Sequence, residues 1–384
     1  MNKLDELIAK LCPNGVEYKK IGDICNICRG VVMSKEFIRD NVGDYPVYSS
    51  QTENNGELGK ISTYNFDGEY ITWTTDGANA GSVFYRNGKF SVTNVCGVLE
   101  SKDKNISAKF LYYVLQITTK NYVNSGMGNP KLMSNVMARV KIPLPPIEVQ
   151  EEIVRILDKF TELTAELTAE LTARKKQYEF YRDKLLKGNK YIYKTMRLGE
   201  IGTVNMCKRI MKAETSAQGE IPFYKIGTFG KKADAYISKE TFEKYTQKYP
   251  YPKQGDVLIS AAGTIGRAII FDGGPAYYQD SNIVWLNNDE TIVLNKYLFY
   301  CYQLQPWAVS NGGTIPRLYN DNILKAKILV PPLEEQKRIV EILDRFDQLC
   351  NDLSVGLPAE IEARKKQYEY YRDKLLSFQE IKMV

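Results

Sequence analysis

One stretch of this chain occurs twice. Residues 174–186 read RKKQYEFYRDKLL and residues 364–376 read RKKQYEYYRDKLL, differing only at Phe180 and Tyr370. Upstream, IPLPPIEVQEEIVRILDKF at 142–160 returns as ILVPPLEEQKRIVEILDRF at 328–346. The Pro145-Pro146 and Pro331-Pro332 pairs stand 186 residues apart and the RKKQY runs 190 apart, so the second copy holds four extra residues between its landmarks. Such a period is far longer than the roughly 20–50 residues of a solenoid unit. It predicts two similar halves, each a globular segment followed by a long helix, and 384 residues leave room for real cores in both.

The helical segments carry a coiled-coil pattern. Leu157, Phe160, Thr164, Leu167, Leu171, Arg174, Tyr178, Tyr181 and Leu185 keep a four-three spacing, the seam of a coil. Within it, TELTAELTAELTA at 161–173 is a tetrapeptide repeat of good helix formers. The second seam runs through Leu343, Phe346, Cys350, Leu353, Leu357, Ile361, Arg364, Tyr368, Tyr371 and Leu375. Two steps of four in succession make a stutter there, and Gly356 with Pro358 predicts a break. Glu148, Glu151, Glu152, Glu334 and Glu335 oppose the positive dipole end of each helix. Matched seams in one chain pair most simply antiparallel; a homodimeric coil is the alternative. A helix of about 37 residues spans roughly 55 Å. Antiparallel pairing would set two heads at opposite ends of a spacer, related by a pseudo-twofold axis.

The heads read as short β-rich runs between Gly, Asn and Asp. YPVYSS, EYITWTT, SVFY and FSVTNVCGVLES precede a helical KFLYYVLQITTKNYV, and IPFYKIG, DVLISAAGTIGRAIIF and NIVWLNN precede KYLFYCYQLQPW. Each closes on a Gly-rich loop, Gly126–Leu132 and Gly312–Leu318, which places Lys131 opposite Arg317. The fold class is therefore α+β: two β-rich, mixed α/β domains at 1–141 and 189–327, with helical spacers at 142–188 and 328–384. Basic residues exceed acidic ones 17 to 14 and 18 to 12 in the heads, but fall short 8 to 9 and 9 to 11 in the spacers. Two basic heads on slightly acidic helices suit a polyanion met by the heads.

The chain has no histidine, which removes His-based nucleophilic and general-base sites. GxxxxGK[ST], GxGxxG and HExxH motifs are missing from it too. Seven cysteines include one isolated CxxC, Cys25–Cys28, without a second pair at zinc spacing, so reduced cysteines are expected and no metal. With no apolar run near the length of a membrane span and no signal-peptide core, no membrane association and a cytoplasmic location are expected.

On the LPPIEVQEEIVRILD and VPPLEEQKRIVEILD segments, the doubled RKKQYExYRDKLL and the TAEL repeats, the chain resembles, end to end, the specificity subunit of type I restriction-modification systems. The resemblance implies two target-recognition domains that read a bipartite, asymmetric double-stranded DNA site. It implies a non-catalytic subunit that binds two methyltransferase subunits and two restriction, or translocase, subunits. No cofactor belongs to such a chain; S-adenosylmethionine, ATP and Mg are expected on the partners. The adenine methyltransferase motif [DN]PP[YF] is missing, since Pro-Pro occurs only at the two helix starts. A specificity subunit for a fused methylase-nuclease, or a coiled-coil scaffold that reads no DNA, remain alternative readings.

Side chains that read bases or bind phosphates are Arg, Lys, Asn, Gln, Ser, Thr and some Tyr on loops. By that criterion the candidates in the first head are Ser49, Ser50, Gln51, Thr74, Thr75, Asn79 and Lys131. In the second they are Lys208, Arg209, Lys225, Lys231, Lys232, Thr264, Arg267, Arg317 and Tyr319. Lys131 and Arg317 lead, because both sit in the duplicated closing loop. What the halves share, the spacer helices with Arg174, Lys175, Arg364 and Lys365, is the expected dock for the methyltransferase subunits.

Overall fold

A computed structural model describes residues 3–126, 128–188, 193–309 and 316–381. Met127 of the first closing loop and residues 312–315 of the second lie outside the described residues. The chain divides into two compact units, Met1–Thr168 with Ile361–Val384, and Ala169–Glu360. Both dividing points fall inside helices, Ile147–Lys187 and Leu357–Leu375, so each unit owns one head and parts of the helical segments.

In the first unit six strands lie in the order Cys25–Arg29, Cys96–Ser101, Phe66–Thr74, Val83–Val92, Val42–Tyr48, Glu57–Ile61. Neighbours are antiparallel except Val42–Tyr48 beside Val83–Val92. Phe66–Thr74 is buried on both faces at its end, which explains its run of apolar and hydroxyl residues. Trp73 is fully enclosed there, a burial worth on the order of 4–6 kcal/mol. Its cross-strand partner must be glycine, because a Cβ on Gly97 would lie 2.0 Å from the indole. Helix Ala108–Thr118 covers the sheet with Phe110, Leu111, Val114 and Leu115, one face at three-four spacing, and Ser107 caps its start.

The second unit repeats part of this plan. Strands Gly202–Met206, Ile283–Asn288, Val257–Ser260 and Ala268–Ile270 form a sheet in the same relative order as the first four strands above. The remainder differs. A separate three-stranded sheet, Tyr236–Ile237, Ile221–Tyr224 and Tyr277–Tyr278, builds its own aromatic cluster with Phe223, Phe229 and Phe271.

Each head leads into its helix through a two-stranded antiparallel ribbon, Glu17–Lys20 with Lys141–Leu144 and Lys194–Arg197 with Lys327–Val330. Pro146 and Pro332 stand just ahead of the helices, and their carbonyls accept from Gln150 and Gln336 at 3.1 and 3.0 Å. The first helix is continuous over its 41 residues. The second is broken, as its stutter predicts: Leu333–Asn351 ends before Leu357–Leu375 begins. Asp352 Oδ1 accepts from the Ser354 amide at 2.7 Å to make the turn. Gly356 is required by close approach, since a Cβ would meet the Gln348 carbonyl oxygen at 2.5 Å.

Within each unit the helices pair antiparallel. In the first, Phe160 stacks on Tyr371 at 5.5 Å, and the Tyr368 hydroxyl donates to Gln116 on the head helix at 3.3 Å. In the second, Phe346 stacks on Tyr181 at 5.9 Å, and the Tyr178 hydroxyl donates to Gln303 at 2.8 Å. The RKKQY copy that follows one head in sequence thus serves the other head in space. Among the described residues no helix is long and apolar enough to cross a membrane.

Candidate nucleic-acid interface

Two side chains clip each head to its helix. Gln150 is fully buried; its Nε2 donates to the Pro145 and Asn105 carbonyls at 2.8 and 3.2 Å, and its Oε1 accepts from the Ser107 amide at 3.0 Å. Gln336 does the same with Pro331, Ile292 and Leu294 at 2.8, 3.0 and 2.9 Å. Asp158 accepts from Lys109 and Tyr113 at 2.5 and 2.7 Å, as Asp344 does from Lys296 and Tyr300 at 2.5 and 2.6 Å. Interactions this alike fix equivalent head faces in equivalent frames.

The closing loops are also equivalent. The Leu132 amide donates to the Thr75 carbonyl and the Leu318 amide to the Ala261 carbonyl, both at 2.8 Å. Lys131 and Arg317 immediately precede these leucines. In the first head, Lys131 is exposed and its backbone exchanges hydrogen bonds with Asn124 at 2.9 and 3.0 Å. Asn79 is exposed nearby in sequence to Thr74 and Thr75, which are buried. The Thr75 hydroxyl lies 3.0 Å from both the Val95 carbonyl and Asp76, and accepts from Arg29 at 2.9 Å. It holds the strand end together rather than facing outward. The Thr74 hydroxyl is enclosed without a partner.

Ser49, Ser50 and Gln51 open a loop that Gly56 and Glu57 close. The Ser49 amide donates to the Gly56 carbonyl at 2.9 Å, Ser49 Oγ accepts from Thr93 at 3.0 Å, and Gln51 donates to the Glu57 carbonyl. Asn54 and Asn55 are left-handed, with φ of 48° and 53°, a conformation asparagine tolerates. Beneath them lies Arg86, buried. It donates to the Asn55 carbonyl at 2.8 Å and to Thr72 at 3.1 Å, between the Tyr48 and Phe84 rings at 3.5 and 4.7 Å. Its third nitrogen has no partner, and burial pushes its pKa down. The loop therefore rests on a cation without a carboxylate among its hydrogen-bond partners.

In the second head the candidates separate into two groups. Arg317 donates to the carbonyl and hydroxyl of Ser281 at 2.9 and 3.0 Å, and Arg209 Nε donates to Asp280 at 2.8 Å. Arg209 and Lys225 line an open cleft of about 430 Å³, while Arg317 and Tyr319 line a hollow of about 390 Å³; the two share Ser281. The structure thus gathers Arg209, Lys225, Arg317 and Tyr319 around the turn 279–282. Other candidates do not line it. Arg267 donates to the Phe229 carbonyl at 2.8 Å, and the Thr264 carbonyl accepts from Ser260. Lys208 puts its ammonium 5.1 Å from the Tyr249 ring, Lys231 lines a smaller hollow beside Tyr224, and Lys232 is exposed.

Sequence reasoning passed over the residues that build these turns. Arg29 donates to the Asn94 carbonyl at 2.6 Å in the first head, where Arg317 holds Ser281 in the second. Gln279, Asp280, Ser281 and Asn282 form a run of four polar residues between apolar strands. That run was the available signal, since all four are donor or acceptor types suited to base edges or to orienting them. Among the described residues no group of three or more His, Cys, Asp or Glu is placed to hold a metal ion.

A family model described as a type I restriction modification DNA specificity domain matches the chain twice, over residues 13–174 and 192–363. A Haemophilus influenzae protein named as a type I restriction enzyme specificity subunit is 47% identical over 376 residues, covering 94% of this chain and 96% of the relative. A Mycoplasma pneumoniae protein named as a type I specificity subunit is 36% identical over 365 residues, covering 94% and 97%. The crystal structure of a type I restriction-modification S subunit from M. genitalium shares the fold with a TM-score of 0.58 at 15% identity, covering 96% of this chain and 97% of that one.

Proposed function

The chain belongs to the type I restriction-modification DNA specificity family, and we propose that it reads a bipartite, asymmetric DNA site, one half-site per head. The observation that carries this reading is a shared frame bearing dissimilar edges. The clips at Gln150 and Gln336 and the closing loops at Leu132 and Leu318 match, whereas the turns and loops they display do not. Equivalent frames present two modules to one duplex in equivalent ways, and unlike edges read unlike sequences. Contacts are assigned to Ser49–Gln51, Asn79 and Lys131 in the first head, and to Arg209, Lys225, Arg317 and Tyr319 in the second. The buried Thr74 and Thr75 support the first edge from behind.

The subunit acts without catalysis of its own and without its own cofactor. Methyltransferase and restriction subunits supply S-adenosylmethionine, ATP and Mg chemistry. Two methyltransferase subunits dock on what the halves share. Phe180 and Tyr370 mark that surface: they occupy the same position of the duplicated segment and are 61% and 63% exposed. Exposed aromatics beside lysines and arginines are common anchors of a protein interface.

Single-molecule methylome sequencing of cells carrying this subunit with its partners tests the reading. One bipartite motif with an unspecified gap is expected. A continuous motif, or none together with no sequence preference in gel shifts, rejects it in favour of a scaffold.

A further inference from the structure

One ion pair of the second head, Arg209 with Asp280, stands at the open cleft and is held from both sides. Arg209 is 67% exposed and Asp280 19%. A pair so open to solvent adds little to stability, yet both of its ends are held. Asp280 sits on a turn whose Ser281 is left-handed at φ 51°, gripped at its carbonyl and hydroxyl by Arg317. On either side, the Gln279 amide donates to the Tyr224 carbonyl at 2.9 Å, and the Asn282 amide to the Asp280 carbonyl at 2.5 Å. The Gln279 side chain accepts from the Ile226 amide at 2.9 Å. The other end is fixed as well: the carbonyl of Lys208, next to Arg209, accepts from the buried Tyr277 hydroxyl at 3.1 Å.

Asp280 engages the guanidinium through Nε. The two terminal nitrogens of Arg209 have no partner among the described residues, and Arg209 lines a cleft with Lys212, Lys225 and Asn282. A guanidinium anchored at Nε offers its remaining donors as a planar fork, the geometry that matches O6 and N7 of guanine in the major groove. Of the flanking lysines, Lys225 is paired with Asp234 at 2.9 Å, and exposed Lys212 suits a phosphate beside that base.

We propose that Arg209 reads a guanine in the half-site bound by the second head, and that Asp280 is the positioning residue that aims it. This rests on the DNA-reading assignment above.

The test uses the full chain assembled with its methyltransferase partner, titrated against duplexes carrying each base pair in turn at every position of the wild-type site. Arg209→Lys keeps the charge and loses the fork. It should lose about ten- to hundredfold discrimination at one G·C position of one half-site. Discrimination in the other half-site and the salt dependence should not change. Asp280→Asn should relax the same position by a smaller factor. The proposal is overturned if Arg209→Lys discriminates as wild type does. It is equally overturned if Arg209→Gln weakens all sequences alike and lowers the salt slope by about one, which marks a phosphate contact. A wild-type complex that prefers no bipartite site would instead sink the assignment on which the proposal rests.

Discussion

The two heads share a four-stranded core and part company beyond it. In the first, the sheet grows to six strands and encloses a cation, Arg86, beneath the loop that begins at Ser49. In the second, a separate sheet takes an apolar filling rich in aromatic rings, among them Tyr251, Phe271, Tyr277 and Tyr278, and the charged groups stay outside at Arg209, Asp280 and Lys225. Even where they do the same job they use different residues. The turn before the last core strand is held by Arg29 in one head and by Arg317 in the other. Met206 ends the strand equivalent to that of Arg29, and Lys131 occupies the loop position of Arg317. What both heads must offer a common partner is kept; what each shows to DNA is free to change.

The strongest way to break this comparison is to place a relative's edge on this chain's frame. Replacing residues 20–141 by the corresponding head of a relative should change one half-site entirely and leave the other intact. Binding to the old site should fall by about a thousandfold or more, toward the non-specific level. Methylome sequencing reads the outcome, and a change in both half-sites would show that the heads do not read independently.

Next come the glutamine clips. Gln150→Leu strands the Ser107 amide and the Pro145 and Asn105 carbonyls, and Gln336→Leu strands their counterparts. Each should cost about 3 kcal/mol, because buried partners are left without hydrogen bonds. Urea unfolding measures both, and a large loss in only one variant would break the equivalence of the frames.

Much of that frame was legible in the sequence. A coil seam, a Pro-Pro helix entry and a four-residue stutter are periodic or local signals, and the helix break at Gly356 follows from them. The heads were legible only as short strands and one helix. Their pairing order is set by contacts between residues distant in the chain, such as Trp73 over Gly97, which no local pattern announces. The candidate edge was harder still. Thr74 and Thr75 have the chemistry of base readers, but Thr74 ends a strand covered there on both faces, Thr75 follows it, and both are buried. Arg317 has the chemistry of a DNA contact, and the fold adds a second role that composition does not announce, since one of its terminal nitrogens holds Ser281. Composition identifies donors; only the fold says toward what they point.

A smaller, pH-dependent difference separates the units. Glu152 is buried in the first, where the hydrogen bond from Arg155 outweighs burial and, with that of Lys3, pulls its carboxyl down to about 2. In the second unit Glu335 is lowered chiefly by Arg338, but it is more open. A folded value below the unfolded value means the stabilisation is complete above the ordinary carboxylate range. It is lost as pH falls from there toward 2. Glu152→Gln should therefore cost about 1–2 kcal/mol at neutral pH, after allowance for the exposed partners, and almost nothing near pH 2. Thermal unfolding across that range measures it, and a cost that does not vary with pH would assign the effect to packing.

The finest test lies at the joint between head helix and spacer. Lys109 meets Asp158 and Lys296 meets Asp344, both at 2.5 Å, and all four side chains are about a third to a half exposed. Pairs of this kind contribute about 0.5 kcal/mol and weaken in salt. Lys109→Met and Lys296→Met should thus destabilise by nearly equal, small amounts that shrink at about 1 M salt. Lys109 also lies 5.7 Å from the Tyr85 ring. Its replacement should cost a few tenths of a kcal/mol more, and that excess should survive Asp158→Asn. An inequality above about 1 kcal/mol would mean that one joint bears load the other does not. The shared frame would then end at the glutamine clips instead of reaching into the spacer.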